Sequence, residues 1–222
     1  MLVVHHLNNS RSQRVLWMLE ELGVEYDVRR YERDRVTMLA PPELRAVHPL
    51  GKSPVVTDGA LTLAESGAIL EYLVERYGNG RFMPPPGTPE RARHTYWMHY
   101  AEGSAMPPLL LKLVALRIAA AKAPFFVKPI ARKISEKLQA DFVDPQLNLH
   151  FGYIAGQLSA TGWFAGNDFT AADIQMSFPL EAGAKRAGAA KHPNILAFLE
   201  RIHARPAYRR ALARGGPYDL LD

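Results

Sequence analysis

Apolar positions in the first 80 residues change their spacing several times, whereas beyond residue 88 they keep the spacing of helices. The short β-prone run Leu2, Val3, Val4, His5, His6 predicts a first strand. Val15, Leu16, Met18, Leu19 and Leu22 then recur at helical intervals up to a stop at Gly23, with Ser10 or Ser12 placed to cap that helix. A weaker alternation of Tyr26 and Val28 within residues 25–31 suits a second strand, which completes a strand-helix-strand unit. Pro41, Pro42, Glu43 and Leu44 open a short helix, proline being tolerated in a first turn. Two short β-prone runs flank Asp58 and Gly59, and a two-residue turn at that pair, with positive φ at both positions, predicts an antiparallel hairpin. A helix follows from Ser66 to about Tyr77, with Ile69, Leu70 and Leu73 on one face and Gly78 and Gly80 ending it.

Pro84, Pro85, Pro86 and Gly87 make a stiff connector that separates a unit at residues 1–80, a linker at 81–88 and a second unit at 89–222. The second unit reads as helical throughout: one stretch from Pro89 through Leu116, another from about Pro129 to Leu158, and shorter helices after Phe169, His192 and Arg205. Thr170 and Asp173 have the spacing of a capping box, and Phe169 with Ile174 that of a hydrophobic staple. Asp173 is therefore read as structural.

Composition narrows the chemistry. With 222 residues, 48% of them hydrophobic, two domains sharing an interface are expected. There is no cysteine, hence no disulfide, no thiolate metal site and no cysteine nucleophile, so any sulfur chemistry must enter with a bound molecule. Met1 to His6 lack the features of a signal peptide, and the apolar region 109–127 carries Lys112, Arg117 and Lys122, so a cytoplasmic protein is expected. The net charge of +5 is concentrated in the second unit. There Lys112, Arg117, Lys122, Lys128, Arg132, Lys133 and Lys137 face the single acid Glu136. This stretch reads as solvated helix faces, as a rim steering anions to a nearby site, or as a patch for nucleic acid or membrane, and spacing does not separate the three.

Three places in the first unit carry a more specific pattern. Asn9, Ser10, Arg11, Ser12, Gln13 and Arg14 link the first strand to its helix, His48 to Val55 precede the third strand in a Gly-Lys-Ser-Pro turn, and Glu65-Ser66 follows the fourth strand. Their order and spacing resemble the glutathione transferase superfamily, in its serine-type members. The resemblance spans essentially the whole chain. It implies α/β plus all-α architecture: a thioredoxin-like βαβ-α-ββα domain followed by an all-helical domain.

On that resemblance, Ser10 matches the serine that donates a hydrogen bond to the glutathione thiol and favours its thiolate. Ser12, Asn8 and Arg11 stand close enough to remain alternatives. A serine before a helix also serves simply as a cap. The resemblance implies that Pro54 is cis, that the Ser53 backbone pairs with the cysteinyl part of glutathione, and that Lys52, with help from His48, reaches the glycine carboxylate. It assigns the γ-glutamyl end to Glu65 and Ser66, the latter at a helix N-terminus suited to an anion. Tyr96, Trp97, Tyr100, Met106 and Leu110 would then border the second-substrate pocket across the interface from Ser10. The implied activity directs the thiolate at a hydrophobic electrophile or a hydroperoxide, glutathione being co-substrate, with a homodimer expected. No metal, nucleic-acid or membrane partner is expected, since adjacent His5 and His6 point to opposite faces of a strand. A non-catalytic carrier of glutathione or hydrophobic ligands, and an adaptor using residues 112–137 on anionic surfaces, are the rival readings. A disulfide reductase cycling its own cysteines is excluded by composition, whereas one using two glutathione molecules is not.

Overall fold

The computed structural model describes residues 1–34 and 36–220. Its first half runs β1 (Leu2–Leu7), α1 (Ser12–Leu22), β2 (Asp27–Tyr31), α2 (Pro42–Val47), β3 (Val55–Asp58), β4 (Leu61–Ala64) and α3 (Ser66–Tyr77). The sheet order is β2-β1-β3-β4. β1 pairs in parallel with β2, Val4 opposite Val28, and antiparallel with β3, Val4 opposite Val56. Parallel pairing requires a crossover, which α1 supplies. This is the thioredoxin-like arrangement.

The hairpin closes one residue later than expected, because Asp58 pairs with Leu61 and leaves Gly59 and Ala60 as the turn. Only Gly59 has positive φ, at 59°, the pattern of a type II′ turn with glycine at its first central position. Asp58 instead receives the Tyr72 hydroxyl at 2.9 Å and that of Tyr77, tying the hairpin to α3.

Both long helical stretches of the second half prove to be pairs. α4 (Pro89–Tyr100) passes through a π-helical turn at Ala101–Ala105 into α5 (Met106–Ala119), and α6 (Lys128–Leu138) through another at Gln139–Val143 into α7 (Asp144–Thr161). Each following helix has proline in its first turn, Pro107 in α5 and Pro145 in α7. Proline supplies no N–H and crowds the preceding turn, so the wider π turn accommodates it without breaking the rod. α8 (Ala171–Arg186), α9 (Pro193–His203) and α10 (Pro206–Gly215) complete the bundle.

α1 lies between the sheet and this bundle, touching β1 and α3 on one side and α8 and α10 on the other. Val15, Leu16, Trp17, Met18 and Leu19 are accordingly all buried, a helix without a solvent face over two turns. Trp17 meets the edge of Tyr208 on α10 at 5.0 Å between ring centroids and Phe169 at 5.6 Å. Phe169 also contacts the rings of Phe82 in the connector and Trp163, at 6.0 and 5.2 Å. Just behind it the Asp173 carboxylate accepts the Thr170 N–H at 2.8 Å and the Phe164 N–H at 2.9 Å, closing the carboxylate arm of the capping box. One hydrophobic core therefore runs through both halves.

Candidate functional site

Three loops of the first half converge on one turn of the second. They enclose a cleft of about 210 Å³ to which the β1–α1 loop contributes Arg11, the turn before β3 contributes His48, Lys52, Ser53 and Pro54, and the start of α3 contributes Glu65 and Ser66. The wall opposite is Glu102, from the first π turn. The Ser53–Pro54 bond is cis. His48 keeps a buried Nδ1 that no protein group satisfies, while Lys52 is exposed at the mouth.

Glu65 adopts φ 70°, a left-handed conformation uncommon for a residue with a side chain and characteristic of sites where the surroundings override local preference. The first helical bond of α3 runs from the Ile69 N–H to the Glu65 carbonyl, so the N–H groups of Ser66, Gly67 and Ala68 are the unpaired donors of that helix end. Anions are favoured there by the same donors and by the helix dipole.

Arg14 braces this corner from within. Its side chain is 1% exposed, and Nη1 donates to Glu102 Oε1 at 2.7 Å, Gln175 Oε1 at 2.9 Å and Ser66 Oγ at 3.1 Å. Arg11 Nε reaches the same Glu102 oxygen at 2.9 Å. Burial disfavours the charge on Glu102, but the Arg14 and Arg11 guanidiniums outweigh it and hold the carboxyl below its ordinary value. Both guanidiniums lie over the ring of Phe178 on α8, at 4.9 and 5.1 Å. Glu102, Gln175 and Phe178 were not foreseen. Their signal in the sequence is slight: a polar Gln175 inside a helix start buried on all sides, and an acid two residues after Tyr100.

The two serines divide their surroundings. Ser10 Oγ accepts the Ser12 N–H at 3.2 Å and lies 3.4 Å from Ser53 Oγ. It is 2.7 Å from Ser12 Oγ, which in turn lies 2.8 Å from Nδ1 of His6. Ser12 is fully buried behind Ser10; Arg11, the residue preceding α1, makes no side-chain capping bond, and Ser10 Oγ takes the free Ser12 N–H at the helix start in its place. Asn8 is occupied by the Arg33 N–H at 3.0 Å, and Asn9, at φ 51°, holds Asp219 of the C-terminal segment.

The residues expected to border a second-substrate pocket do not line this cleft. Trp97 is buried among Phe164, Tyr100 and Tyr153, at 4.7, 4.8 and 5.5 Å, as part of the core of the helical half. Tyr100 is likewise buried, its hydroxyl 2.5 Å from His150 Nδ1. Tyr96 and Leu110 are exposed, Met106 is partly buried, and none of the five lines the cleft. From this side the cleft is met by Glu102, in the π turn that follows α4. A larger cavity of about 600 Å³ opens between α8, α9 and α10, remote from these loops. Its one buried acid, Glu181, is engaged by the hydroxyls of Tyr208 and Tyr218 at 2.5 and 2.8 Å and by His203 at 3.1 Å. His5 and His6 do take separate partners, His5 facing Tyr31 and Thr57. Among the described residues no three His, Asp or Glu side chains gather as for a metal ion, and no helix is long and apolar enough to cross a membrane. Of the basic stretch, Lys112 pairs with Asp144 at 2.7 Å and Lys137 with Asp141 at 2.6 Å.

A thioredoxin-like domain with a cis-proline cleft, closed by a helical bundle that sends an acid back into it, defines a thioredoxin-like class of protein with an appended helical domain. Residues 1–75 match the glutathione S-transferase N-terminal domain and residues 113–206 the C-terminal domain. The chain is 40% identical to glutathione S-transferase 3 of Schizosaccharomyces pombe over 95% of its length and 86% of that protein's. It is 32% identical to glutathione S-transferase 1 of Saccharomyces cerevisiae, covering 92% and 91%. Among solved structures, a glutathione S-transferase from Actinobacillus pleuropneumoniae superposes with a TM-score of 0.81 at 34% identity, over 100% of this chain and 96% of that one. The chain belongs to the glutathione S-transferase family and is a glutathione transferase in enzymatic class.

Proposed function

We propose that the enzyme binds reduced glutathione across the 210 Å³ cleft, ionises its thiol beside Ser10 and directs the thiolate at an apolar electrophile or a hydroperoxide. The observation that carries this reading is the meeting of the Ser53–Pro54 turn with Glu65, Ser66 and the N-terminus of α3 around one cleft. Each end of the tripeptide finds its complement. The γ-glutamyl carboxylate faces the open N–H groups of α3 and its ammonium the Glu65 carboxylate. The glycine carboxylate faces Lys52, with His48 Nδ1 as a spare polar partner. Between them the cysteinyl backbone pairs with Ser53 as an added strand does. The domains of this reading are residues 1–80, the 81–88 linker and 89–222. A cytoplasmic homodimer belongs to the same reading.

A free thiol of this kind has a pKa of about 8.5 and reacts as the thiolate. A hydroxyl donated by Ser10, beside the start of α1, lowers that value. With no cysteine in the chain, disulfide reduction would run through two glutathione molecules.

Retention on immobilised glutathione, with elution by free glutathione, tests the binding half. Thiolate absorbance of bound glutathione against pH tests the chemical half. Ser10→Ala is expected to raise the bound thiol's pKa by about 1 to 2 units and to lower kcat/KM about 10- to 100-fold near neutrality, with binding retained. Tight binding without turnover of any electrophile or hydroperoxide by the unaltered protein would make it a carrier. No retention at all would remove the reading.

A further inference from the structure

The helical half presents an apolar apex to solvent instead of burying it. α5 and α6 form a hairpin in which Ser135 Oγ donates to the Ala115 carbonyl at 2.7 Å, and the midpoint between those two residues is Phe125. Phe125 and Phe126 therefore stand at the apex, 85% and 64% exposed, with their rings edge to face. The residue that α6 buries is Ser135, while Ile130 and Ile134, one turn apart, are 59% and 57% exposed. A helix that buries a serine and exposes its isoleucines reverses the ordinary arrangement of a surface helix. A patch of large apolar side chains left open in this way marks an interaction site.

The charge around this apex is one-sided. The side chains of Lys122, Lys128, Arg132 and Lys133 are exposed and make no ion pair or hydrogen bond among the described residues. Lys137, beside Ile134, has Asp141 as its partner at 2.6 Å, and Glu136 is the single acid within residues 112–137. Four free cations beside four exposed apolar side chains suit a surface that is negative outside and apolar beneath. We infer that the apex of the α5–α6 hairpin docks on a membrane leaflet with anionic headgroups. Phe125 and Phe126 enter the boundary between headgroups and acyl chains, and the lysines and Arg132 meet the headgroup anions. Of the three roles open to the basic stretch, this takes the membrane one.

Shape and charge together choose this occupant. Phe125 and Phe126 project from a turn, and lipid receives a projecting apolar pair without a complementary pocket. A second copy docked through the same patch would set these cations against themselves across an isologous contact. A nucleic-acid backbone would pair with the cations but leave Ile130 and Ile134 without a partner. Among the described residues no helix is long and apolar enough to cross a bilayer, so the hairpin lies on the surface and binding is reversible. One lysine near an anionic leaflet strengthens binding about fivefold, and the attraction fades within a Debye length of about 8 Å at physiological salt.

Co-sedimentation of the full chain with phosphatidylcholine vesicles, with and without about 30% phosphatidylserine, tests the inference. Binding is expected to the phosphatidylserine vesicles, far above that to phosphatidylcholine alone, and is expected to weaken as salt is raised. Phe125→Ser/Phe126→Ser is expected to weaken it at least about tenfold, and Arg132→Gln/Lys133→Gln about 20- to 30-fold. All four side chains are exposed, so the urea midpoints of both variants are expected to match wild type. Phe125→Trp keeps an apolar apex and is expected to bind as wild type does, with its added emission shifting to the blue on the vesicles. No binding to either vesicle, equal binding to both, undiminished binding of the serine variant, or an unshifted tryptophan emission overturns the inference. A changed oligomeric state of the serine variant in analytical ultracentrifugation also overturns it and makes the apex a contact between copies. Loss of its turnover with a small water-soluble electrophile does the same and makes the apex a wall of the second-substrate pocket. Tighter binding to single-stranded RNA than to vesicles, unaffected by the serine variant, would make the patch a nucleic-acid surface instead.

Discussion

Two buried ionisable side chains in this molecule draw their partners from different distances along the chain, and Arg14 does so through Nη1 alone, its Nε and Nη2 having no protein partner. Arg14 is 1% exposed and takes its partners from α3, the first π turn and α8, at sequence separations of 52, 88 and 161 residues. Asp173 is fully buried and takes its partners from Thr170 and Phe164, three and nine residues away. The local network holds a helix end in place and could be built by a helical domain alone. The distant one exists only when both halves are docked, and it reaches the cleft of the first half through Ser66 and Glu102. Their acid responses run in opposite directions.

Breaking the distant network is expected to have the largest effect. Arg14→Met leaves Glu102 and Gln175 facing a methyl group, and removing one partner of a buried ion pair costs about 3 kcal/mol or more. Urea unfolding measures it, and glutathione retention should fall with it because Ser66 loses its donor. A variant as stable as wild type would mean that Arg11 alone suffices for Glu102.

The Asp173 network is the next largest, and pH sharpens the contrast. Burial pushes the Asp173 carboxyl up to about 6 from 3.8, outweighing the hydrogen bonds that favour the anion. A folded pKa above the unfolded one means that the folded chain holds the extra proton between about pH 4 and 6. The associated stability is complete below about 4 and is lost as pH rises through 6. A shift of about 2 units corresponds to about 3 kcal/mol. The stability deficit of Asp173→Asn should therefore be larger at pH 4 than at pH 7, by up to that amount. Glu102, held low by Arg14 and Arg11, behaves conversely: its contribution is present above its ordinary carboxyl range and is lost on acidification. Chemical unfolding of Asp173→Asn and Glu102→Gln at both pH values would show opposite trends, and parallel trends would refute the assignment.

The same contrast explains what could be read from the chain. The capping box, the individual strands, the proline connector and the Gly-Lys-Ser-Pro turn are patterns spanning a few residues, and local patterns are visible without a fold. The hairpin turn falls one residue beyond the Asp-Gly pair, since Asp-Gly and Gly-Ala turns differ only in which residue leaves the ladder. Glu102, Gln175 and Phe178 were invisible because their roles depend on a π turn and on docking across more than 80 residues of chain. Trp97 and Tyr100 belong to the core, and aromatic residues at helical spacing suit a cavity wall and a core alike. Ser10 and Ser12 are equivalent by spacing, which cannot say which of two serines lies behind the other.

Gln175→Ala tests how far the distant network depends on its third partner. One neutral acceptor of a charged donor is lost, and Ser66 and Glu102 still hold Arg14, so about 1 to 2 kcal/mol is expected. Gln175 Nε2 also lies 3.5 Å from where a side chain on Gly67 would begin, so KM for glutathione should rise while kcat changes little. An unchanged KM with the full loss of stability would confine Gln175 to bracing Arg14.

The smallest expected effect falls between the two networks. Arg205 at the start of α10 forks onto Glu21 of α1, Nε to Oε1 at 2.5 Å and Nη2 to Oε2 at 2.9 Å, with its guanidinium 3.9 Å over the Phe169 ring. This contact joins the halves, as the Arg14 network does, but Arg205 is 29% exposed and water can replace part of what is lost. Arg205→Lys keeps the charge while losing the second hydrogen bond and the flat stacking on Phe169. A loss of about 1 kcal/mol is expected, with glutathione affinity and thiol pKa unchanged because no residue of the cleft is touched. If glutathione binding weakened as well, docking of α10 on α1 would itself shape the cleft, alongside the Arg14 network.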